Sequence, residues 1–267
     1  MNVIDITYGQ LLISLFFVLA AGIASVRLKL GLERDILWGT IRTFTQLFII
    51  GYVLKYIFEI DNVYLILLVF TGMILFAAVT IRGRVKEKSV PYIIPTFLSM
   101  FISYMFVTIV VTSIIVDVQP WYRPQYFIPL GGMVIGNSMS AIAITLERIF
   151  TDIRRFREEI ELYLSLGADH KEATANIIKE AVRTGMIPSI SSMMAVGIVF
   201  LPGMMTGQII AGADPIISIK YQIVVMLMLV GSSAGGCIIT AYISRNLCFT
   251  AAEQINPSFM KSRNKET

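Results

Sequence analysis

Leu201-Pro202-Gly203-Met204-Met205-Thr206-Gly207-Gln208 sets a helix-breaking Pro-Gly pair and a second glycine inside a segment otherwise apolar enough to lie in a bilayer. Backbone N–H and C=O groups freed at membrane depth are tolerated only where protein or a water-filled cavity satisfies them. The break therefore points to a cavity within the membrane, and such a cavity points to transport.

The rest of the chain supports a membrane setting. Hydrophobic residues make up 56% and charged residues 15%, the mean hydropathy is +0.75, and soluble domains carry about 25% charged residues. Crossing a hydrocarbon core takes roughly 20 apolar residues. Seven runs qualify as candidate spans: Tyr8 to Val26, Ile36 to Leu54, Val63 to Ile81, Tyr92 to Val116, Tyr126 to Leu146, Met186 to Ala211 and Tyr221 to Ser244. The second contains Arg42 and Gln46 and the sixth contains the break, so hydropathy alone leaves six or eight spans open.

Charge decides between them. Eighteen of the 22 Lys and Arg fall in segments on one side of this arrangement and three on the other, with Arg42 inside a span. Positive residues are retained on the cytoplasmic side, so the N-terminus is expected outside and the C-terminus inside, which requires an odd number of crossings. The net charge of +4 follows from topology and gives no reason to invoke nucleic acid. Asp5 precedes the first apolar run and no Lys or Arg does, so that run reads as a retained span rather than a cleaved signal. Cys237 and Cys248 lack paired spacing and imply neither a disulfide framework nor a zinc site. The expected organisation is an all-α polytopic membrane domain over residues 1–250 and a mobile, polar cytoplasmic tail over 251–267.

The longest hydrophilic interruption, residues 147–185, reads as a cytoplasmic elbow of two helices. Ile149, Ile153, Phe156, Ile160 and Leu164 recur at helical steps, so the fifth span is expected to continue unbroken into the cytoplasm. Gly167 can close that helix in a left-handed conformation, and Asp169 with Glu172 three residues later can start the next. The second helix is expected to pack through Ala173, Ile177, Ile178, Ala181 and Val182 and to end near Gly185 and Pro188. A solvated connector is the plain reading of such an elbow; a docking element is the functional one. The sequence has no G-x-x-x-x-G-K-[ST] phosphate loop, so any ATP and Mg would be bound by a separate subunit. Glu161 and Gly167 reproduce the spacing of the coupling loop of ABC importer permeases, with Leu166-Gly167-Ala168 and Asp169 at its centre. Leu162 and Tyr163 replace the usual two alanines, and Pro188 lies later than in the importer pattern.

Together these residues make the chain resemble the FetB/YbbM-type permeases of bacterial ABC transporters. The stretches that carry the likeness are Gly132 to Ala141, Glu161 with Leu166-Gly167-Ala168, Leu201 to Gln208, and Gly212, Asp214-Pro215 and Tyr221-Gln222. The resemblance covers nearly the full length. It implies a homodimeric permease that exports iron with energy from a separate ATP-binding subunit. Plant relatives are associated with aluminium tolerance, and a nucleotide-sugar substrate has been attributed to some, so another metal or a nucleotide sugar stays open as cargo.

No Asp or Glu falls inside the seven runs, although gradient-driven carriers commonly place ionisable residues on their pathways. The polar candidates for a pathway are Arg42, Gln46, Asn137, Ser138, Ser140, Thr206 and Gln208; each is equally read as helix-packing polarity, and Arg42 as a snorkelling cation. Shape change is expected at Gly132 to Ser140, including Gly136, and at Pro202, Gly203, Met204, Met205, Thr206, Gly207 and Gln208. No metal site is assigned. His170, the single histidine, reads as a surface residue, and Met133, Met193, Met194, Met204 and Met205 offer soft contacts or plain packing. Asp5, Glu59, Asp61, Asp117 and Asp214 lie on the external side, as oxygen ligands at an exit or as solvated acids. An ATP-independent channel or carrier is the rival reading; a membrane-embedded enzyme lacks a nucleophile and base or a ligand cluster in the spans.

Overall fold

The computed structural model describes residues 6–59, 62–257 and 259. Asp5 and Asp61 lie outside the described residues. The described chain is helical: α1 (Tyr8–Arg27), α2 (Glu33–Glu59), α3 (Val63–Arg84), α4 (Ile93–Val110) with a π-helical turn over Val111–Ile115, α5 (Pro124–Arg155), α6 (Arg157–Ser165), α7 (His170–Ala173), α8 (Ala175–Ala195), α9 (Gly203–Ile210) and α10 (Pro215–Leu247). Among the described residues only isolated bridges, Val196 with Phe200 and Phe249 with Ile255, add extended pairing. Six helices are long and apolar enough to cross a membrane: α1, α2, α3, α4 with its π turn, α5 and α10. The protein is an all-α, multi-pass membrane protein.

The helices fall into two compact units. The first holds α1 and α2 with residues 208–213. Thr7 and Gln10 form a capping box at the start of α1, and the turn into α2 is closed by Ser25, whose hydroxyl accepts from Leu32 N–H at 3.0 Å and donates to Glu33 at 3.1 Å. The second unit holds α3 to α8, α10 and residues 203–207 of α9 and is built around α5, whose 32 residues extend about 48 Å. That exceeds the hydrocarbon thickness, so α5 must project beyond the bilayer.

Neighbours of α5 fix the directions. Phe70 of α3 stacks edge-on to Phe127 at 5.2 Å, and further along Arg84 reaches Ser140 at 3.2 Å, so α3 runs parallel to α5. Tyr92, just before α4, meets Phe150 at 5.4 Å, so α4 runs the other way. On α10, Ser233 lies 3.0 Å from Ser138 and Gly236 packs against Ile142, which makes α10 parallel to α5. The shared end of these parallel helices carries Arg82, Arg84, Arg148, Arg154 and Arg245, the cytoplasmic side by the positive-inside rule. Because α5 ends there and α10 starts on the opposite side, the chain between them recrosses the membrane. That return includes part of α8 and the non-helical segment that follows it.

Three expectations change in detail. The second elbow helix does not end near Gly185 and Pro188 but continues to Ala195 with Pro188 inside it. Burial of Ile177, Ile178, Ala181, Gly185 and Ser189 along one face holds the helix together despite the lost N–H. The arm leaving the fifth span is not continuous either: it is interrupted at Phe156, with φ −101 and ψ 26, and Phe156 is 37% exposed rather than packed inward. Third, Gly132 to Ser140 is regular helix within α5. The glycines there serve close approach: a Cβ at Gly131 would fall 2.2 Å from the Phe70 ring, and one at Gly132 would fall 3.3 Å from Met73.

The tightest such contact joins α8 to α5. A Cβ on Gly185 would lie 2.0 Å from Thr145 Oγ1 and 2.7 Å from the Ala141 carbonyl oxygen. Gly185→Ala should therefore lower stability by roughly 1–3 kcal/mol through overpacking, against a helix-propensity gain of about 1 kcal/mol. Gly136→Ala, where no neighbouring atom lies within 4 Å, should be neutral or stabilising. Thermal unfolding of the two variants in detergent checks the contrast.

Candidate transport cavity and cytoplasmic elbow

The break lies one step earlier than the sequence places it. The non-helical linker is residues 196–202, and Gly203 to Ile210 form α9 with Pro202 immediately before it. Gly197 turns the linker with φ 84, and its N–H donates to the Phe200 carbonyl at 2.9 Å. Pro202 suits a helix start because its missing N–H would find no intrahelical partner there. Thr206 donates its hydroxyl to the Pro202 carbonyl at 3.0 Å, spending its polarity on the backbone. Gly212, with φ 94, closes α9, and Asp214 caps α10 by accepting from Ile216 N–H at 2.8 Å.

Beside the linker is a cavity of about 370 Å³, lined by Met133 and Asn137 of α5, Ser189 and Ser192 of α8, Phe200 to Met204 in part, and Gln222, Val225, Met226 and Leu229 of α10. Asn137 donates to Ser189 at 3.1 Å and to Ser233 at 3.4 Å. Ser138 lies 3.0 Å from Ser233 and 3.3 Å from Ser232, and Ser189 donates to Ser233 at 3.3 Å. This network joins α5, α8 and α10 under the cavity. Gln222 is 5% exposed, and its Oε1 is buried with no donor among the described residues. Among the described residues the cavity wall holds no charged side chain; it offers hydroxyls, amides and thioethers.

Of the expected pathway residues, Asn137, Pro202, Gly203 and Met204 line the cavity, and Ser138 belongs to the network beneath it. Ser140 instead meets Arg84. Gly136 and Gly207 are exposed, and Met205 and Thr206 are half-buried; none of these four lines the cavity. Arg42 and Gln46 lie on α2, exposed, in the first unit, which also includes Gln208. Sequence reasoning missed Ser189, Ser192 and Ser233, and named Gln222 only within a motif; Ser-x-x-Ser just before the break is the signal that could have marked the first two. Among the described residues no group of three or more His, Cys, Asp and Glu is placed to hold a metal ion.

The elbow forms as its capping residues require. Gly167 has φ +95; its N–H donates to Leu164 and that of Ala168 to Tyr163, both at 3.1 Å, the double bond of a Schellman ending. Asp169 accepts from Glu172 N–H at 2.7 Å, and that bond draws the Asp169 carboxyl below its usual value. Thr174 interrupts the second arm between α7 and α8, its hydroxyl donating to the His170 carbonyl at 2.6 Å. Glu161 pairs with Arg157 at 2.7 Å, and Leu166 is 76% exposed at the tip.

His170, expected at the surface, is half-buried and bonded through both ring nitrogens. Its N–H donates to Glu253 at 2.8 Å, its Nδ1 lies 2.6 Å from the same carboxylate, and its Nε2 is 3.2 Å from Asn246 Oδ1, with the ring 5.3 Å from Phe249. The described part of the tail is exposed at residues 251–254 and anchored further on: Asn256 N–H donates to the Cys248 carbonyl at 2.8 Å, and Ile255 and Phe259 are buried, Phe259 against Phe150 and Arg154.

The model of a family described as "Uncharacterised protein family (UPF0014)" matches residues 8–249. The chain belongs to the UPF0014 family. It is 36% identical over 264 residues to "Probable iron export permease protein FetB" of Escherichia coli, covering 98% of this chain and 100% of that one. It is 38% identical over 250 residues to "UPF0014 membrane protein YjkA" of Bacillus subtilis, covering 93% and 98%. It is also 32% identical over 256 residues to "Protein ALUMINUM SENSITIVE 3" of Arabidopsis thaliana, covering 93% and 90%. No solved structure matches the chain.

Two outcomes test this geometry. Asn137→Leu leaves the Ser189 and Ser233 hydroxyls without their shared donor and should cost about 1–3 kcal/mol, read as a lower unfolding midpoint. The amide and ring of His170 hold the Glu253 carboxyl below its ordinary value of 4.5. The tether is therefore in full force above that value and is lost as pH falls through the lower folded one. The protection factor against hydrogen exchange at His170 N–H, taken relative to the intrinsic rate at each pH, should fall in that acid range, and Glu253→Gln should lower it already at neutral pH.

Proposed function

We propose that this UPF0014 protein is the permease subunit of an ATP-driven exporter of iron, with ATP and Mg bound by a separate ABC ATP-binding subunit and the permease working as a homodimer. The observation that carries the reading is the near-full-length similarity to a protein named as a probable iron export permease. The geometry supplies a route for coupling. Both α5 and α8 contribute to the cavity wall, and both lead into the elbow at their cytoplasmic ends. A push on Glu161 to Asp169 is transmitted along two helices to the wall beside the 196–202 linker. The linker, already free of the helical ladder, changes shape at lower cost than an intact helix. A wall of hydroxyls, amides and thioethers without carboxylates holds a cation weakly, which suits a protein that must let its cargo go.

Fe(II) flux into proteoliposomes carrying this chain and its ATP-binding subunit should require ATP, and Glu161→Lys should abolish it. ATP-independent flux would instead establish a channel or carrier. Absence of Fe(II) flux with substrate-sensitive ATPase activity would keep the transporter and remove iron as cargo. Pro202→Ala should reduce flux more than it reduces binding of the ATP-binding subunit; equal loss of both would contradict the division between gate and elbow.

A further inference from the structure

We infer that the groove between α3, α5 and α8 on the cytoplasmic side holds the headgroup of an anionic phospholipid, with its phosphate diester on Arg84. The groove, of about 600 Å³, runs along α5 past Ser140, Ile144, Arg148 and Thr151, and is walled by Arg84 of α3 and Thr184 of α8. Helix lengths give its depth. The 22 residues of α3 extend about 33 Å, close to a hydrocarbon core of about 30 Å. Arg84, at the last position, therefore stands at the cytoplasmic boundary, where lipid phosphates begin. Ser140 is level with it, its hydroxyl accepting from Arg84 Nη1 at 3.2 Å. From there to Thr151 the groove climbs one face of α5 for about 16 Å, through the headgroup layer.

Charge selects the occupant. Arg84 is exposed, and among the described residues no carboxylate pairs with it. The other charged side chains of the groove have partners: Arg148 pairs with Asp152 at 2.6 Å, and Glu147 accepts from Lys86 N–H at 3.0 Å. Arg82, Lys86 and Lys88 flank Arg84 in the chain, and the one acid among residues 82–88, Glu87, is taken by Arg154. The positive-inside bias accounts for cations on this side, but not for an unpaired guanidinium beside a hydroxyl at the wall of a groove. Basic pockets between membrane helices on the cytoplasmic side bind anionic headgroups. The planar fork of Arg84 matches the two free oxygens of a phosphate diester, and the Ser140 hydroxyl adds a third donor. A lipid brings its phosphate to this depth while remaining in the bilayer, whereas a soluble phosphate would have to descend to the hydrocarbon boundary. Thr184 precedes Gly185, the glycine that meets Ala141 and Thr145, so the headgroup would sit beside the contact of α8 with α5.

The test is native mass spectrometry of the full-length chain in an uncharged detergent, titrated with dioctanoyl phosphatidylglycerol and, for comparison, with dioctanoyl phosphatidylcholine and glycerol 3-phosphate. Phosphatidylglycerol should bind one site per chain roughly tenfold or more tightly than phosphatidylcholine, as charge-assisted hydrogen bonds in a basic setting require. Arg84→Gln should remove that preference, and Arg84→Lys, which keeps the charge without the fork, should retain part of it. Ile144→Glu puts an acid at an exposed position of the groove; it should remove the preference too and covers the case in which Arg84→Gln fails to fold. Arg155→Gln, at an exposed cation of α5 outside the groove, should leave the preference unchanged. Equal affinity of the wild-type chain for the two lipids, or equal loss in Arg84→Gln and Arg155→Gln, would overturn the site in favour of diffuse surface charge. Glycerol 3-phosphate binding as tightly as phosphatidylglycerol would assign the groove to a soluble phosphate and overturn the lipid. A dimer that takes up phosphatidylglycerol only after dissociating would assign the groove to the second copy and overturn it as well.

Discussion

In hydrocarbon a peptide group has no water to turn to, so every N–H and C=O must find its partner within the protein. That constraint makes this chain helical and makes residues 196–202 exceptional. The linker meets the constraint in part with its own short pairing, Gly197 to Phe200, and Pro202 needs no acceptor at all. What surrounds it is polar where polarity is useful: Asn137, Ser189 and Gln222 stand on three helices around one cavity. Regular helices elsewhere give the rigidity against which one irregular segment can differ.

Local physics was readable from the sequence, and long-range packing was not. Gly167 and Asp169 announce the elbow because a left-handed glycine and a side-chain cap act within a few residues of themselves. Six of the seven expected spans were legible as long apolar helices because hydropathy acts additively along the chain. Pro188 misled because its cost is local, whereas the burial that outweighs it comes from α5. Gly131 and Gly132 look like flexibility in a sequence; in the fold they are the places where Phe70 and Met73 approach. The break is shifted because Pro202 starts a helix as readily as it ends one. His170 meets Glu253 across 83 positions, a pairing that no local pattern encodes.

The elbow combines two kinds of surface. Its tip is apolar and exposed at Leu162 and Leu166, while its inner groove carries Asp152, Glu159, Glu172 and Glu180. Both rest on a base held by the tail, through His170 with Glu253 on one arm and Phe259 with Arg154 on the other. The C-terminal segment thus braces the two arms, so the elbow is a supported element rather than a loose connector.

The contact of Gly185 with Ala141 and Thr145 has a mechanical consequence. It is a point of close approach between α5 and α8, and it divides α5 unequally. From Ala141, Asn137 is about 6 Å along the axis in one direction, and the cytoplasmic end at Arg155 is about 21 Å in the other. A helix tilting about this fulcrum acts as a lever of unequal arms. A broad sweep at the cytoplasmic end becomes a displacement about one-third as large at the cavity, with force multiplied in the same proportion.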